Sequence, residues 1–266
     1  MKRLLLLVFL MVLGRLAYSY ENTYAIIIGV ADYKYGSIYS GDLRYTVNDA
    51  RKFYEFLKSD KGGSVPASNI VLLTDARASK ANIITQAKAL FARAKTNDRV
   101  ILYFSGHGKE GCFLPYDADY FGRRLLLFTE IKSLFRYAKC TTKLLFSDAF
   151  FSGSMKENMS SNTGLRRVME RNAKVSSSNM NIAVMMSCQD DEYSLELTDL
   201  QQGVFTYYLM QGLSGKANSD ESQYITIQEL FYYVYHRVKY KAALQGSAQT
   251  PVLFGTFDLK LVVGKI

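Results

Sequence analysis

Cysteine is scarce in these 266 residues: Cys112, Cys140 and Cys188 are odd in number and irregularly spaced. Such a set offers neither a disulfide framework nor a zinc-ligand pattern. Buried small hydrophobes are the plain reading of all three, with one pair free to close in an oxidising compartment. Histidine is scarcer still, with His107 and His236 alone. No glycine-rich phosphate loop, metal cluster or internal repeat appears, so neither cofactor nor metal is expected. Long apolar runs are missing too. The run Leu4 to Leu13 stops at Gly14 and Arg15, well short of the ~20 residues a spanning helix needs, which argues against an integral membrane segment.

That short run has another reading. Lys2 and Arg3 precede it, and Ala17-Tyr18-Ser19 forms a small-x-small site after it, the layout of a secretory signal peptide over residues 1–19 with cleavage after Ser19. A secreted or periplasmic protein is therefore expected. No cysteine stands at the processing point to accept a lipid. Lys2, Arg3 and Arg15 are the charged residues of that stretch, so its removal lowers the formal charge from +9 to +6. The remaining Lys and Arg are scattered, with short groups such as Arg166-Arg167, and this favours a solvated face over a nucleic-acid surface. Residues 20–266 suit a single domain.

Continuous apolar runs at Tyr24 to Val30, Ile70 to Thr74, Val100 to Phe104, Lys143 to Phe146 and Ile182 to Met186 predict strands buried on both faces. Between them, Asn48 to Leu57 and Ala81 to Ala94 carry apolar residues at helical spacing. Val204 to Leu213 reads as a helix ending at Gly212 or Gly215. Thr226 with Glu229 forms a capping box that opens a helix over Ile227 to Leu244. After Pro251, Val252 to Phe254 is expected as the last strand of the sheet, and Leu259 to Val263 as a smaller appended one. Residues 152–181, rich in Ser and Asn, read as a long surface loop with a short helix near Leu165 to Glu170. The alternation predicts an α/β fold: an open, mainly parallel sheet of about six strands with helices on both faces.

In open parallel sheets, ligands bind beyond the carboxyl ends of the strands. The third strand ends in Ser105-Gly106-His107-Gly108, where flanking glycines let a tight loop present an imidazole as a general base. The fourth ends in Ser147-Asp148-Ala149-Phe150-Phe151-Ser152-Gly153. A strand ending Ser-Gly-His-Gly followed by one ending Asp-Ala-Cys-x-Ser-Gly resembles the dyad signature of the caspase and metacaspase clan of cysteine peptidases, and the chain matches all of it except the cysteine. Phe150, 43 positions after His107, stands where the nucleophile is expected. The likeness runs from Tyr24 to about Phe254, through Asn48-Asp49-Ala50, Gly203-Val204-Phe205-Thr206 and Thr250-Pro251.

The resemblance implies that His107 holds the general base and acid position and that the Gly108 backbone is an oxyanion donor. It also implies that Asp49 and Asp148 line a pocket for an Arg or Lys side chain. Against the pocket stands a structural reading, in which Asp49 caps its helix and Asp148 satisfies backbone amides. The acid pair expected for a calcium site is missing at Leu126 to Glu130, and Asp117 and Asp119 read as turn residues, so no calcium is expected. Without a thiolate at position 150, the chain reads as an inactive peptidase homologue binding a basic peptide or a partner protein. Two alternatives stay open: an endopeptidase cutting after Arg or Lys with Cys188 or Ser152 as a relocated nucleophile, and a non-enzymatic scaffold. His236, on a helix among Tyr235, Arg237 and Lys239, reads as a surface histidine.

Overall fold

The computed structural model describes residues 20–35, 43–109, 111–119, 122–150, 182–189 and 192–266, the side chain of Phe150 excepted. The expected signal peptide and the loop at 152–181 lie outside them. Six strands form the main sheet: β1 (Thr23–Gly29), β2 (Ile70–Thr74), β3 (Arg99–Lys109), β6 (Thr142–Phe150), β7 (Ile182–Met186) and β11 (Val252–Thr256), in the order β11-β7-β6-β3-β1-β2. All neighbours pair in parallel except β11, which runs antiparallel to β7 at the edge. The short strands β4 (Cys112–Phe113) and β5 (Leu126–Leu127) extend the far end of β3.

Successive residues of a strand face opposite sides, and each central strand is apolar on both. On one side Ile26, Ile28, Leu102 and Phe104 pack with Ile83 and Phe91 of α2 (Lys80–Phe91) and Ile131 and Phe135 of α3 (Phe128–Phe135). On the other, Ala25, Ile27, Ile101 and Tyr103 pack with Phe53 of α1 (Thr46–Lys58), Leu209 of α4 (Val204–Gln211) and Leu230 and Val234 of α5 (Ile227–Ala243). The Thr226–Glu229 capping box is present: the Thr226 side chain accepts the Glu229 N–H while the Glu229 carboxylate accepts the Thr226 N–H.

Three local expectations need correction. The third and fourth strands continue past Phe104 and Phe146, which carries His107 and residue 150 on regular backbone rather than on loops. The final strand, β12, covers Val262–Lys265 and pairs antiparallel with β10 (Tyr224–Thr226) in a separate two-stranded sheet, as β8 (Glu196–Leu197) does with β9 (Gln202–Gly203). Its expected first half, around Leu259 and Leu261, instead uses those two carbonyls to accept the Gln228 and Ile227 N–H groups at the start of α5. Helix α3 carries no strong start signal in the sequence and was not expected; Glu130 folds back to accept the Leu127 N–H at 2.9 Å.

One glycine sets how close α1 comes to the sheet. A Cβ on Gly29 would lie 2.6 Å from the Ala50 Cβ and 2.7 Å from the Thr46 carbonyl oxygen. Backbone contact at that distance admits no side chain, so α1 lies against the end of β1 and brings Asp49 to the top of the sheet. Gly29→Ala is expected to cost about 1–3 kcal/mol by overpacking, visible as a lower denaturation midpoint. An unchanged midpoint would mean that this contact is loose.

Candidate active site

Strands β3 and β6 pair without a break from Arg99↔Thr142 to His107↔Phe150. Adjacent strands lie ~4.8 Å apart, so this register makes residue 150 the lateral neighbour of His107. The direction of the Phe150 ring lies outside what is described. His107 is itself buried, 5% exposed. Its N–H donates to the Tyr33 hydroxyl at 2.7 Å, and the two rings sit 5.2 Å apart. Burial raises the Tyr33 pKa, so this phenol stays neutral and serves as a fixed dipole beside the imidazole. Gly106 makes room for it, since a Cβ there would come within 3.0 Å of the Tyr33 oxygen.

Gly108 is paired with Phe113 of β4, and the Leu114 N–H donates to the His107 carbonyl at 3.0 Å across that pair. This is the arrangement of a non-hydrogen-bonded antiparallel pair, so the Gly108 N–H is turned away from β4. It faces β6 instead, on the side of residue 150.

Asp49 and Asp148 come together from elements 99 residues apart in sequence. Asp148 stands opposite Ser105 in the β3–β6 register, and Asp49 reaches the same place from the first turn of α1. They meet on either side of Gly203: a Cβ on that glycine would sit 2.2 Å from one Asp148 oxygen and 3.1 Å from one of Asp49. Asp49 does not cap its own helix. Its Oδ1 accepts the Gly203 N–H at 3.0 Å and its Oδ2 the Ser105 hydroxyl at 3.1 Å. Asp148 Oδ2 accepts the Thr206 N–H at 3.0 Å and the Thr206 hydroxyl at 2.7 Å, while Oδ1 accepts from Ser194. With the Thr206 proton committed to the carboxylate, the Tyr103 phenol is the donor in its contact with Thr206.

These carboxyls are 1% and 5% exposed, and among the described residues neither has a basic partner. Burial pushes both pKa values up. For Asp49 the charge of Asp148 adds to that, opposed by Gly203 and Ser105. For Asp148 the hydrogen bonds from Ser194 and Thr206 oppose the burial. The arrangement contains part of the structural reading, since Asp148 does accept a backbone amide. It also leaves two buried acids close together with no basic side chain beside them among the described residues.

Other candidates fall elsewhere. The Cys188 thiol lies 3.6 Å from the Ala149 carbonyl, just past β7, so β6 runs between it and the His107 strand. Ser152 lies outside the described residues. Asp117 accepts the Lys80 N–H, and Asp119 is held by Arg123 at 2.7 Å and Arg124 at 3.0 Å. His236 is exposed on α5, 4.4 Å from the Tyr232 ring. Sequence reasoning missed Tyr33, Ser194 and the wedge role of Gly203. No short spacing links these positions to the strand ends, so only the assembled sheet reveals them.

Residues 22–262 match the family model described as the caspase domain. Over 85 residues the chain is 35% identical to Metacaspase-1A of Aspergillus oryzae. That match takes in 30% of this chain and 20% of the relative, so the aligned part spans about a fifth of that protein's length. Among solved structures, caspase-1 from Spodoptera frugiperda superposes with a TM-score of 0.64 at 15% identity, covering 93% of this chain and 92% of that one. A structural-genomics target from Geobacter sulfurreducens gives 0.61 at 16% identity, over 92% and 100% of the two chains. At such identities the likeness speaks for the fold.

Two raised carboxyl pKa values fix the sign of a pH effect. The folded chain holds these protons more tightly than the unfolded chain does. The stability they contribute is therefore greatest below the ordinary aspartate value of ~3.9 and is lost as pH rises through the raised folded values. Asp49→Asn keeps an acceptor for Gly203 and turns an N–H toward Ser105, whose hydroxyl accepts as readily as it donates. The variant is expected to be more stable than the native chain at pH 7 by about 1 kcal/mol or more, at roughly 2–4 °C of Tm per kcal/mol. Its Tm should also fall less between pH 4 and 7. Calorimetry across that range checks both; a variant less stable at every pH would show that the charge on Asp49 is compensated.

Proposed function

The chain belongs to the caspase-domain family, and from that premise we propose that it is a secreted or periplasmic member without peptidase activity, which binds a basic peptide or a partner protein through Asp49 and Asp148. One observation carries the inactive half of this reading: the residue beside His107 in the β3–β6 register is number 150, and it is phenylalanine. A phenyl ring has no lone pair with which to attack a carbonyl and form an acyl intermediate. A constellation stripped of its nucleophile retains ~10³ to 10⁴ over water from its remaining donors, which is negligible against the half-life of a peptide bond.

The binding half rests on the acid pair. A guanidinium or ammonium group brought up to Asp49 and Asp148 relieves their repulsion, and each charge-assisted hydrogen bond contributes about 1.5–3 kcal/mol. Both acids already accept bonds from the protein, which fixes their orientation before a ligand arrives and lowers the ordering cost of binding. The expectation of secretion rests separately on the charge and apolar pattern of residues 1–19.

Peptides bearing Arg or Lys, offered to the native chain and to Phe150→Cys, test the reading. The native chain should match the uncatalysed rate, whereas Phe150→Cys should turn over and lose that gain again when His107→Ala is added. Cleavage by the native chain that disappears with Cys188→Ser or Ser152→Ala would establish a relocated nucleophile instead. Binding is read separately by calorimetric titration: Asp49→Asn should weaken a basic peptide by about one to two orders of magnitude. No basic-peptide binding by either protein would favour a scaffold without a pocket. Secretion is checked by mass spectrometry, where a mature chain beginning at Tyr20 is expected.

A further inference from the structure

The other end of β3 holds a charge the proposed function does not use. Arg99, its first residue, is 3% exposed. Nε and Nη2 both donate to the Thr23 hydroxyl oxygen, at 3.2 and 3.0 Å, and Nη1 donates to the Val263 carbonyl. The guanidinium stacks 3.7 Å from the centre of the Tyr20 ring. All of these partners are formally neutral, and among the described residues no carboxylate pairs with Arg99. The adjacent Asp98 is turned elsewhere, its Oδ1 accepting from Asn22 and its Oδ2 from the Lys95 N–H. Burial lowers the Arg99 pKa, yet a guanidinium does not give up its proton in a protein. A buried cation with neutral partners alone carries a desolvation penalty that a counter-ion offsets.

A cavity of about 10 Å³ adjoins this group. Arg99 and Tyr20 line it together with Lys61, Gly264 and Lys265, and among the described residues no acidic side chain does. Lys61 and Lys265 are exposed, so two cations stand at the mouth and a third at the base. Beside the guanidinium the space is somewhat wider than one water molecule. That is enough for a monatomic anion and fits it better than phosphate, sulfate or a carboxylate. A water molecule filling the same space would leave the charge uncompensated.

We propose that this cavity at the foot of β3 is a halide site, in which one chloride neutralises Arg99. Chloride bound to the folded chain alone raises stability with the logarithm of its concentration. Tm of the full chain, measured at fixed ionic strength as sodium chloride replaces sodium gluconate, should therefore rise steadily, and bromide should act as chloride does. Arg99→Met, similar in length and without charge, should abolish the response. Because Arg99→Met alters a buried site and can impair folding, the double variant Lys61→Ser, Lys265→Ser provides an independent arm on exposed side chains. It should raise the half-effective chloride concentration severalfold. Crystals grown in bromide should show an anomalous peak against the Arg99 guanidinium. Equal Tm in chloride and gluconate, a response that persists unchanged in these variants, or bromide peaks only elsewhere would each overturn the proposal.

Discussion

The parallel pairing of β3 with β6 is the constraint on which the site depends. Nine consecutive residue pairs, from Arg99↔Thr142 to His107↔Phe150, run from the foot of the sheet to its top. Side chains alternate faces along a strand, so a slip of one residue would exchange every inward and outward position. Were β6 to slip in this way, Phe146 would leave the layer beneath α1 and α4 for the layer beneath α2 and α3, and Asp148 would turn away from Asp49. Packing on both faces thus fixes the register. It follows that the neighbour of His107 is decided by core residues far below it and not by anything at the site.

The same constraint explains why the two aspartates are costly. Asp148 is held in place by β6, and Asp49 by α1, whose approach to β1 is set by Gly29. Neither can retreat to solvent, and Gly203 stands between them with no side chain to separate their charges. Serine and threonine hydroxyls and two backbone amides share the task of holding the carboxylates. Those bonds satisfy lone pairs without neutralising charge. Apolar residues of similar volume are commonly as stabilising as buried charged groups or more so, so stability alone gives no reason for two acids at this point. The positively charged ligand proposed above would supply one.

Much of this was legible in the sequence because it is written in local pattern. Apolar runs marked the six strands of the main sheet, and a Ser-Gly-His-Gly end beside an Asp-Ala-Phe end drew attention to His107 and residue 150. The Thr226–Glu229 pair gave the start of α5 to the residue. What escaped notice depends on contacts between distant segments. Tyr33 reaches His107 across 74 positions, Ser194 reaches Asp148 across 46, and Gly203 meets Asp49 across 154. Strand ends were also drawn too short: Ser105 to Lys109 contains two glycines and three polar residues, which read as loop, yet pairing to β1, β4 and β6 holds them extended. Tertiary hydrogen bonding overrode local preference there. The β12 error is of the same kind, since Leu259 and Leu261 look like strand residues and spend their carbonyls on the start of α5.

A regular strand beneath the histidine limits which other residue could act as a nucleophile beside it. Had His107 and residue 150 lain on separate loops, small backbone movements would let another hydroxyl or thiol approach the imidazole. Both instead belong to one hydrogen-bonded ladder, and the His107 N–H is further tied to Tyr33. For Cys188 to serve His107, its sulfur would have to pass β6 from the β7 side and leave the Ala149 carbonyl. That movement breaks ladder bonds as well as packing, so the rigidity that would place a cysteine well at position 150 works against a substitute from the neighbouring strand. Replacing residue 150 itself leaves the ladder intact, which makes it the least disruptive way to set a nucleophile beside His107 on this scaffold.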